Sequence, residues 1–244
     1  MRLAVISDIH GNLEALKAVL RDSRRRKAES IACLGDIVGY YPDPEKCVRL
    51  MRKRASISVA GNNDYAAIGR IETLQFNLMA QIAISWTAER LSDQSREYLG
   101  GLPFGVEKDG VFFTHSSPSD PQDWLTYVFP DSEQTVFEVF SNLTQRLNFI
   151  GHTHAPSIMI QDGDRILLHS ESIVHLDPAK YYLVNVGSVG QPRDFDARAS
   201  YAVYDSAAGS VEIVRVPYNY SRTRRKVRRR GLPQGLGDRL PKGR

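Results

Sequence analysis

The chain has 244 residues, 42% of them hydrophobic and 25% charged, which suits one large globular domain with ample length to bury a core. Its formal charge of +4 hides an asymmetry: residues 222–244 carry ten Lys or Arg against one acid, Asp238, so the 221 residues before them are net acidic. The high pI therefore says nothing about what the body binds, and composition excludes a spanning helix, because the most apolar long stretch, Phe76 to Trp86, is broken by Asn77, Gln81 and Ser85.

The apolar run Leu3 to Ile6 is too short for a signal peptide and meets Asp8 and His10 at once. Cys33 and Cys47 have neither metal-motif nor disulfide-framework spacing and read as buried small apolar residues of a reducing, cytoplasmic setting. Arg2 to Ser7 is a short strand, and Asn12 caps a helix whose Leu13, Leu16, Val19 and Leu20 share a face. Ser30 to Leu34 is the second strand; Asp43-Pro44 opens a helix that runs to about Arg54; Ser56 to Ala60 is the third strand. This alternation calls for a parallel sheet with right-handed crossovers. Residues 72–100 read as two helices meeting near Leu91-Ser92-Asp93, and turns at Gly100-Gly101 and Asp109-Gly110 precede the strand Val111 to Thr114.

Residues 116–130 are a loop holding Trp124, Tyr127 and Phe129, followed by a helix over 132–145 and the strand Leu147 to Ile150. From Ser157 the texture changes to short strands and turns, at 157–161, 165–169, 181–186, 200–205 and 211–216, which predicts a second, largely antiparallel sheet. The expected fold is α/β, a four-layer α-β-β-α sandwich of two mixed sheets flanked by helices. It spans residues 1–221, with 222–244 as a basic C-terminal tail: Arg222 to Arg230 reads as a solvated terminal helix, against a contact with nucleic acid or acidic lipid, and the end is frayed after Gly231-Leu232-Pro233.

Asp8, His10, Asp36, Asn62, His115, His152 and His154 each follow a short apolar run, so they should gather at one edge of one sheet, outside the carboxyl ends of its strands. His152 and His154, at i and i+2 at a strand end, should point to the same side. Mixed carboxylate, imidazole and carboxamide ligands suit Mn, Fe or Zn over Ca or Mg. Seven are too many for one tetrahedral ion and fit two ions sharing a carboxylate, the arrangement used to attack phosphorus. Read one at a time, Asp8 is a helix-entry residue and Asn62 a turn residue; only their joint placement argues for metal. His169 and His175 lack such company and read as loop or surface residues.

The order Asp-x-His, Gly-Asp, Gly-Asn-x-Asp, His, Gly-His-x-His resembles the calcineurin-like metallophosphoesterases over residues 5 to about 218. The runs from Gly35 to Tyr40 and from Asn185 to Arg193 are similar to the small prokaryotic phosphodiesterase and diadenosine-tetraphosphatase-like branch. The resemblance implies that Asp8, His10 and His154 hold one ion, that Asn62, His115 and His152 hold the other, and that Asp36 bridges them. It further implies two divalent or mixed-valence transition-metal ions, manganese first with iron, zinc or nickel as alternatives, and attack of a metal-bridging hydroxide on phosphorus.

Many relatives carry His where this chain has Asn63, and a carboxamide cannot give up a proton near pH 7. The missing acid leans the expected substrate toward a phosphodiester or phosphoanhydride of nucleotide or dinucleoside-polyphosphate type. Asp64 is present beside it as the carboxylate that would orient such a histidine. Arg193 is the candidate for gripping a remote phosphate, against a salt bridge to Asp194 or Asp196. Tyr40, Tyr41 and Trp124 are candidates for stacking on a base, against core packing or a dimer contact. Competing readings are a phosphomonoesterase or Ser/Thr protein phosphatase of the same fold, a non-catalytic metal-binding scaffold, and a nuclease recruited by the tail. The acidic body argues against nucleic acid as a partner; a homo-oligomer stays open. Every expected ligand lies upstream of the tail, which predicts that removing the tail leaves hydrolysis of small substrates intact.

Overall fold

Alternation in the first strand sets up the layers. In β1 (Arg2–Ile6) the side chains of Leu3 and Val5 join a core between two sheets, while Ala4 and Ile6 join the core under the helices. The computed structural model describes all of residues 1–244. After β1 come α1 (Leu13–Arg25), β2 (Ser30–Cys33), α2 (Pro44–Arg54), β3 (Ile57–Ser58), α3 (Asn62–Ala67), α4 (Leu78–Ala88) and α5 (Asp93–Gly100). Then follow β4 (Gly105–Lys108), β5 (Val111–Thr114), α6 (Glu133–Ser141), β6 (Leu147–Ile150), β7 (Ser157–Asp162), β8 (Arg165–Leu168), β9 (Ile173–His175) and β10 (Tyr181–Asn185). The chain ends with β11 (Ala199–Asp205), β12 (Ser210–Val216), α7 (Tyr220–Arg229), α8 (Gln234–Arg239) and a 3-10 turn at Leu240–Lys242.

Two six-stranded sheets result, in the orders β3-β2-β1-β11-β12-β9 and β4-β5-β6-β10-β7-β8. Phe113 and Phe149 stack between them, with Leu34, Val59, Val184 and Ala202 around the rings. Helices α1 and α2 cover the first sheet through Leu16, Val19, Val48 and Met51; α6 covers the second through Val136, Val139 and Phe140. This is the expected four-layer sandwich of mixed sheets. Its strands, however, are dealt out differently. The late strands do not form a sheet of their own: β11, β12 and β9 extend the first sheet from β1, and β10, β7 and β8 extend the second from β6. Local pattern marks a strand but not its partner, which is chosen by contacts far apart in sequence.

Four elements and the closing 3-10 turn escape the local pattern: α3, β4, β9 and α8. Strand β4 pairs with β5 through Asp109-Gly110, whose φ of 52° and 75° suit a tight hairpin turn with both central residues left-handed.

The basic run forms the expected helix, α7, but packed rather than solvated, and the chain continues into α8 where a frayed end is expected. Asn219 caps α7, its side chain accepting from the Arg222 amide at 3.0 Å. Val227, Leu232, Leu236 and Leu240 then bury against Tyr40, Tyr41, Ala80 and Ala83. The basic charge meets the acidic body: Lys226 reaches Glu14 at 2.6 Å and also Asp43, at the starts of α1 and α2. Thr223 donates to the Asn12 side chain at 3.0 Å. Leu236→Ala should therefore cost about 2–5 kcal/mol, the range for truncating a fully buried leucine. Urea unfolding of the full chain measures it, and an unchanged midpoint would mean that the segment does not belong to the folded unit.

Candidate metal centre

The seven expected ligands lie at strand ends and all are buried, but they come from both sheets rather than one edge of one sheet. Asp8 and His10 follow β1, Asp36 follows β2, and Asn62 opens α3 after β3; His115 follows β5, and His152 and His154 follow β6. The two loop sets meet at Gly151, where any Cβ would strike the Ser7 side chain and the Asp8 carboxylate. With no side chain in the way, the His152 amide donates to Asp8 Oδ2 at 3.0 Å and ties one sheet to the other.

Five of the seven ligands hold a left-handed backbone: Asp8, His10, Asp36, His152 and His154 have φ between 50° and 66°. Non-glycine residues there cost roughly 1–2 kcal/mol each, so the cluster concentrates strain where surrounding contacts hold it. The same conformations correct the account of His152 and His154. They are not successive same-side residues of a strand; they lie in a loop beyond β6, and their rings diverge to two subsites.

In the first subsite His154 Nε2 lies 3.2 Å from Asp8 Oδ1, and His10 Nε2 lies 3.6 Å from the same oxygen and 3.1 Å from His154 Nε2. In the second, His115 Nε2 lies 3.2 Å from Asn62 Oδ1 and 3.2 Å from His152 Nδ1. Asp36 Oδ2 sits between them, 3.6 Å from His10 Nε2 and 3.5 Å from His115 Nε2.

Each ring's other nitrogen faces a backbone carbonyl: His10 on Val38 at 3.1 Å, His115 on Leu34 at 2.7 Å, His154 on Gln191 at 2.6 Å, and His152 through Nε2 on Trp124 at 3.0 Å. A carbonyl can only accept, so those nitrogens carry ring protons, and each ring when neutral aims its lone pair inward. At His10 and His154 two such nitrogens face each other beside Asp8 Oδ1, a buried oxygen without a hydrogen-bond partner. That arrangement is repulsive unless a proton or a metal ion lies among the three. The residues present thus fit metal ions at both subsites, and the chemistry of the donors is that of transition metals.

The charges agree. Burial works against ionising Asp8, but His154, His10 and His115 outweigh it and hold the carboxyl well below the usual range; Asp36 is lowered, against burial, chiefly by His115. Burial and neighbouring positive charge pull His152 down to about 4 and His154 to about 3, which keeps them neutral as ligands must be. Burial also opposes charge on His115, yet Asp36 and Asp8 push it up to about 9, so a proton is drawn to the place where a metal would sit.

A two-sheet sandwich whose strand-end loops converge on two adjoining sets of nitrogen and oxygen donors defines a phosphoesterase of the dinuclear-metal class. The chain belongs to the calcineurin-like phosphoesterase superfamily, whose domain model matches residues 1–209. It is 43% identical to an uncharacterized protein of Methanocaldococcus jannaschii, over 99% of this chain and 98% of that one. The crystal structure of a metallophosphoesterase from Sphaerobacter thermophilus is 38% identical with a TM-score of 0.88, covering 100% of this chain and 99% of the other. A hypothetical protein from Pyrococcus horikoshii OT3 shares the fold at 21% identity and a TM-score of 0.82, covering 100% and 98%.

The remaining candidates separate. Asn63 donates its amide nitrogen to Asp36 Oδ2 at 2.6 Å and its backbone N–H to Oδ1 at 2.8 Å. Asp64 is wholly buried and accepts from the Val38 and Gly61 amides at 3.1 and 3.2 Å; burial and Asp36 raise it to about 7. Arg193 pairs with neither acid proposed for it, since Asp194 is taken by Arg215 and Asp196 by Arg198. Its guanidinium donates to Gln191 Oε1 at 2.8 Å and approaches the Tyr40 hydroxyl. Tyr40 sits edge-on to His10, with ring centroids 4.7 Å apart. Tyr41 is core: its hydroxyl donates to the Leu236 carbonyl, and Gln191 donates to it. His169 donates to the Ile173 carbonyl on an outlying edge, outside the cluster. Reasoning from residues missed Tyr127, which stacks on His152 with centroids 4.1 Å apart, and the four carbonyls that pin the imidazoles. Backbone acceptors leave no signature in side-chain identity.

Two predictions follow from the geometry. Saturating metal should stabilise the stripped protein by about 2.7 kcal/mol per ion at a free concentration of 100 Kd, read as a rise of about 5–10 °C in Tm; calorimetry after chelation and reloading checks it. Asp36→Asn should lower metal content at both subsites, whereas Asn62→Ala should deplete one. Elemental analysis showing two full equivalents in Asp36→Asn would remove this residue from the bridge.

Proposed function

We propose that this phosphoesterase cleaves phosphodiester or phosphoanhydride bonds in nucleotide-type substrates. The observation that carries the reading is Asn63. Its side chain is spent on Asp36, where it can donate a hydrogen bond but not a proton, and its Oδ1 has no partner. Asp64, whose carboxyl is pushed up by burial and by Asp36, is walled in behind it with its oxygens held by backbone amides, so it cannot reach a leaving group. A bond whose leaving group departs as a stable anion needs no proton. Bound metal ions supply a nucleophile at neutral pH and neutralise charge on phosphorus.

The chain's own residues do the rest. Asp8, Asp36, Asn62 and the four imidazoles hold the ions, and Asn63 steadies the proposed bridging carboxylate. A cavity of about 770 Å³ opens beside Asn62 and Tyr40, walled by Phe76, Trp124, Leu125 and Tyr127, with room for a base and sugar. Manganese is our choice of metal, with iron, zinc or nickel as alternatives. Two unpaired, buried thiols suit the reducing cytoplasm.

Turnover by metal-loaded protein should favour an aryl diester and a dinucleoside polyphosphate over an alkyl monoester by at least about 100-fold, the low end of what positioned acid catalysis contributes. Comparable alkyl monoester turnover would refute the reading. In Asn63→His, monoesters with poor leaving groups should gain about 10²–10⁴-fold while diesters change little. Equal dependence on leaving-group pKa in the two proteins would show that the acid does not belong at position 63.

A further inference from the structure

The cavity beside the metal ligands has a wall that comes from the far end of the chain. Arg239, the last residue of α8, lines it together with Arg193. Its position is built rather than accidental. Leu236 and Leu240 on either side are buried against Tyr41, and the Gly243 carbonyl accepts from the Phe195 amide at 2.8 Å, which clamps the chain end to the loop that carries Arg193. The Arg193 amide in turn donates to the carbonyl of the metal-site residue His154 at 3.2 Å.

Two guanidinium groups thus share one half-buried space. Neither meets a carboxylate side chain: Arg193 rests on Gln191 and Tyr40, and Arg239 donates through Nε to the terminal carboxylate of Arg244, while its two Nη nitrogens have no partner. Burial and the Arg193 charge both disfavour the Arg239 cation, whereas Arg26 and Arg198, which do have acidic partners, are favoured. The terminal carboxylate takes only the Nε side of Arg239, so the Nη nitrogens that share the cavity with Arg193 are free to take a second anion. A phosphate is the anion that two planar guanidinium forks match, oxygen for donor.

We propose that Arg239, delivered by the C-terminal segment, joins Arg193 in holding a phosphate of the substrate other than the one being cleaved. This rests on the anhydride reading above and narrows it to substrates carrying at least two adjacent phosphates. It also replaces the expectation that the C-terminal residues are dispensable: the segment that looked like a basic appendage completes the substrate site.

The test compares binding of AMP and of α,β-methylene ADP, which cannot be cleaved between its phosphates, to full-length manganese-loaded protein by calorimetry. The wild type should bind the diphosphate at least about tenfold more tightly than AMP, as charge-assisted hydrogen bonds to one added phosphate allow. That gap should close in Arg239→Gln and in Arg193→Gln, two changes on different elements, so that one misfolded variant does not decide the matter. It should persist in Arg229→Gln, which removes the same charge from an exposed position on α7. A gap that survives in both Arg239→Gln and Arg193→Gln, or that is absent from the wild type, overturns the proposal. Failure of the functional reading is separable, because it appears as preferred turnover of alkyl monoesters whatever the two ligands do.

Discussion

The structure depends on a cage of lone pairs that only cations can reconcile. Four imidazoles and two carboxylates are buried in two adjoining groups, and each ring has already committed a proton to a main-chain carbonyl. Those carbonyls belong to the loops after β2 and β5 and to the run around Gln191, so the fold's connections set the tautomers. Metal affinity in such a site is folding energy held in reserve. The left-handed backbone at five of the candidate ligands has the same source: the loops bend sharply enough to bring donors within reach of one another.

Placing that cage between two sheets has consequences. A site at the edge of one sheet would depend on that sheet alone, whereas here the Gly151 loop docks on Asp8 and couples the sheets directly at the ligands. The stacked pair Phe113 and Phe149 lies just behind, in strands that lead directly into His115 and Gly151. Packing error in the inter-sheet core would therefore be transmitted to metal geometry, since close-packed interiors pass on strain.

The C-terminal segment shows how charge asymmetry can be internal to a fold. Ten basic residues beside an acidic body suggested a solvated tail or an external polyanion. Instead Lys226 and Arg222 find Glu14 in the first turn of α1, and Lys226 also meets Asp43 before α2, while the leucines between them bury. The apolar positions 227, 232, 236 and 240 straddle the turn at Gly231, so no single helical period runs through them. Each alone looks like an incidental Leu or Val, and their common face exists only once Tyr40 and Tyr41 supply the other side.

Local chemistry determined much of this protein. Asn12 and Asp43-Pro44 mark helix starts because capping and proline geometry act within a few residues. Short apolar runs mark strands, and the polar residues just beyond them are the candidate ligands, because strand ends are where loops of an α/β fold converge. Tertiary structure decided the rest: that β11 pairs with β1, that His152 and His154 part to different subsites, that Asn63 is tied to Asp36, and that Arg239 returns to the cavity. Those outcomes turn on contacts between residues up to about 200 positions apart and on main-chain acceptors that every residue possesses. Residue identity therefore carries no trace of them, and only the folded backbone brings the partners together.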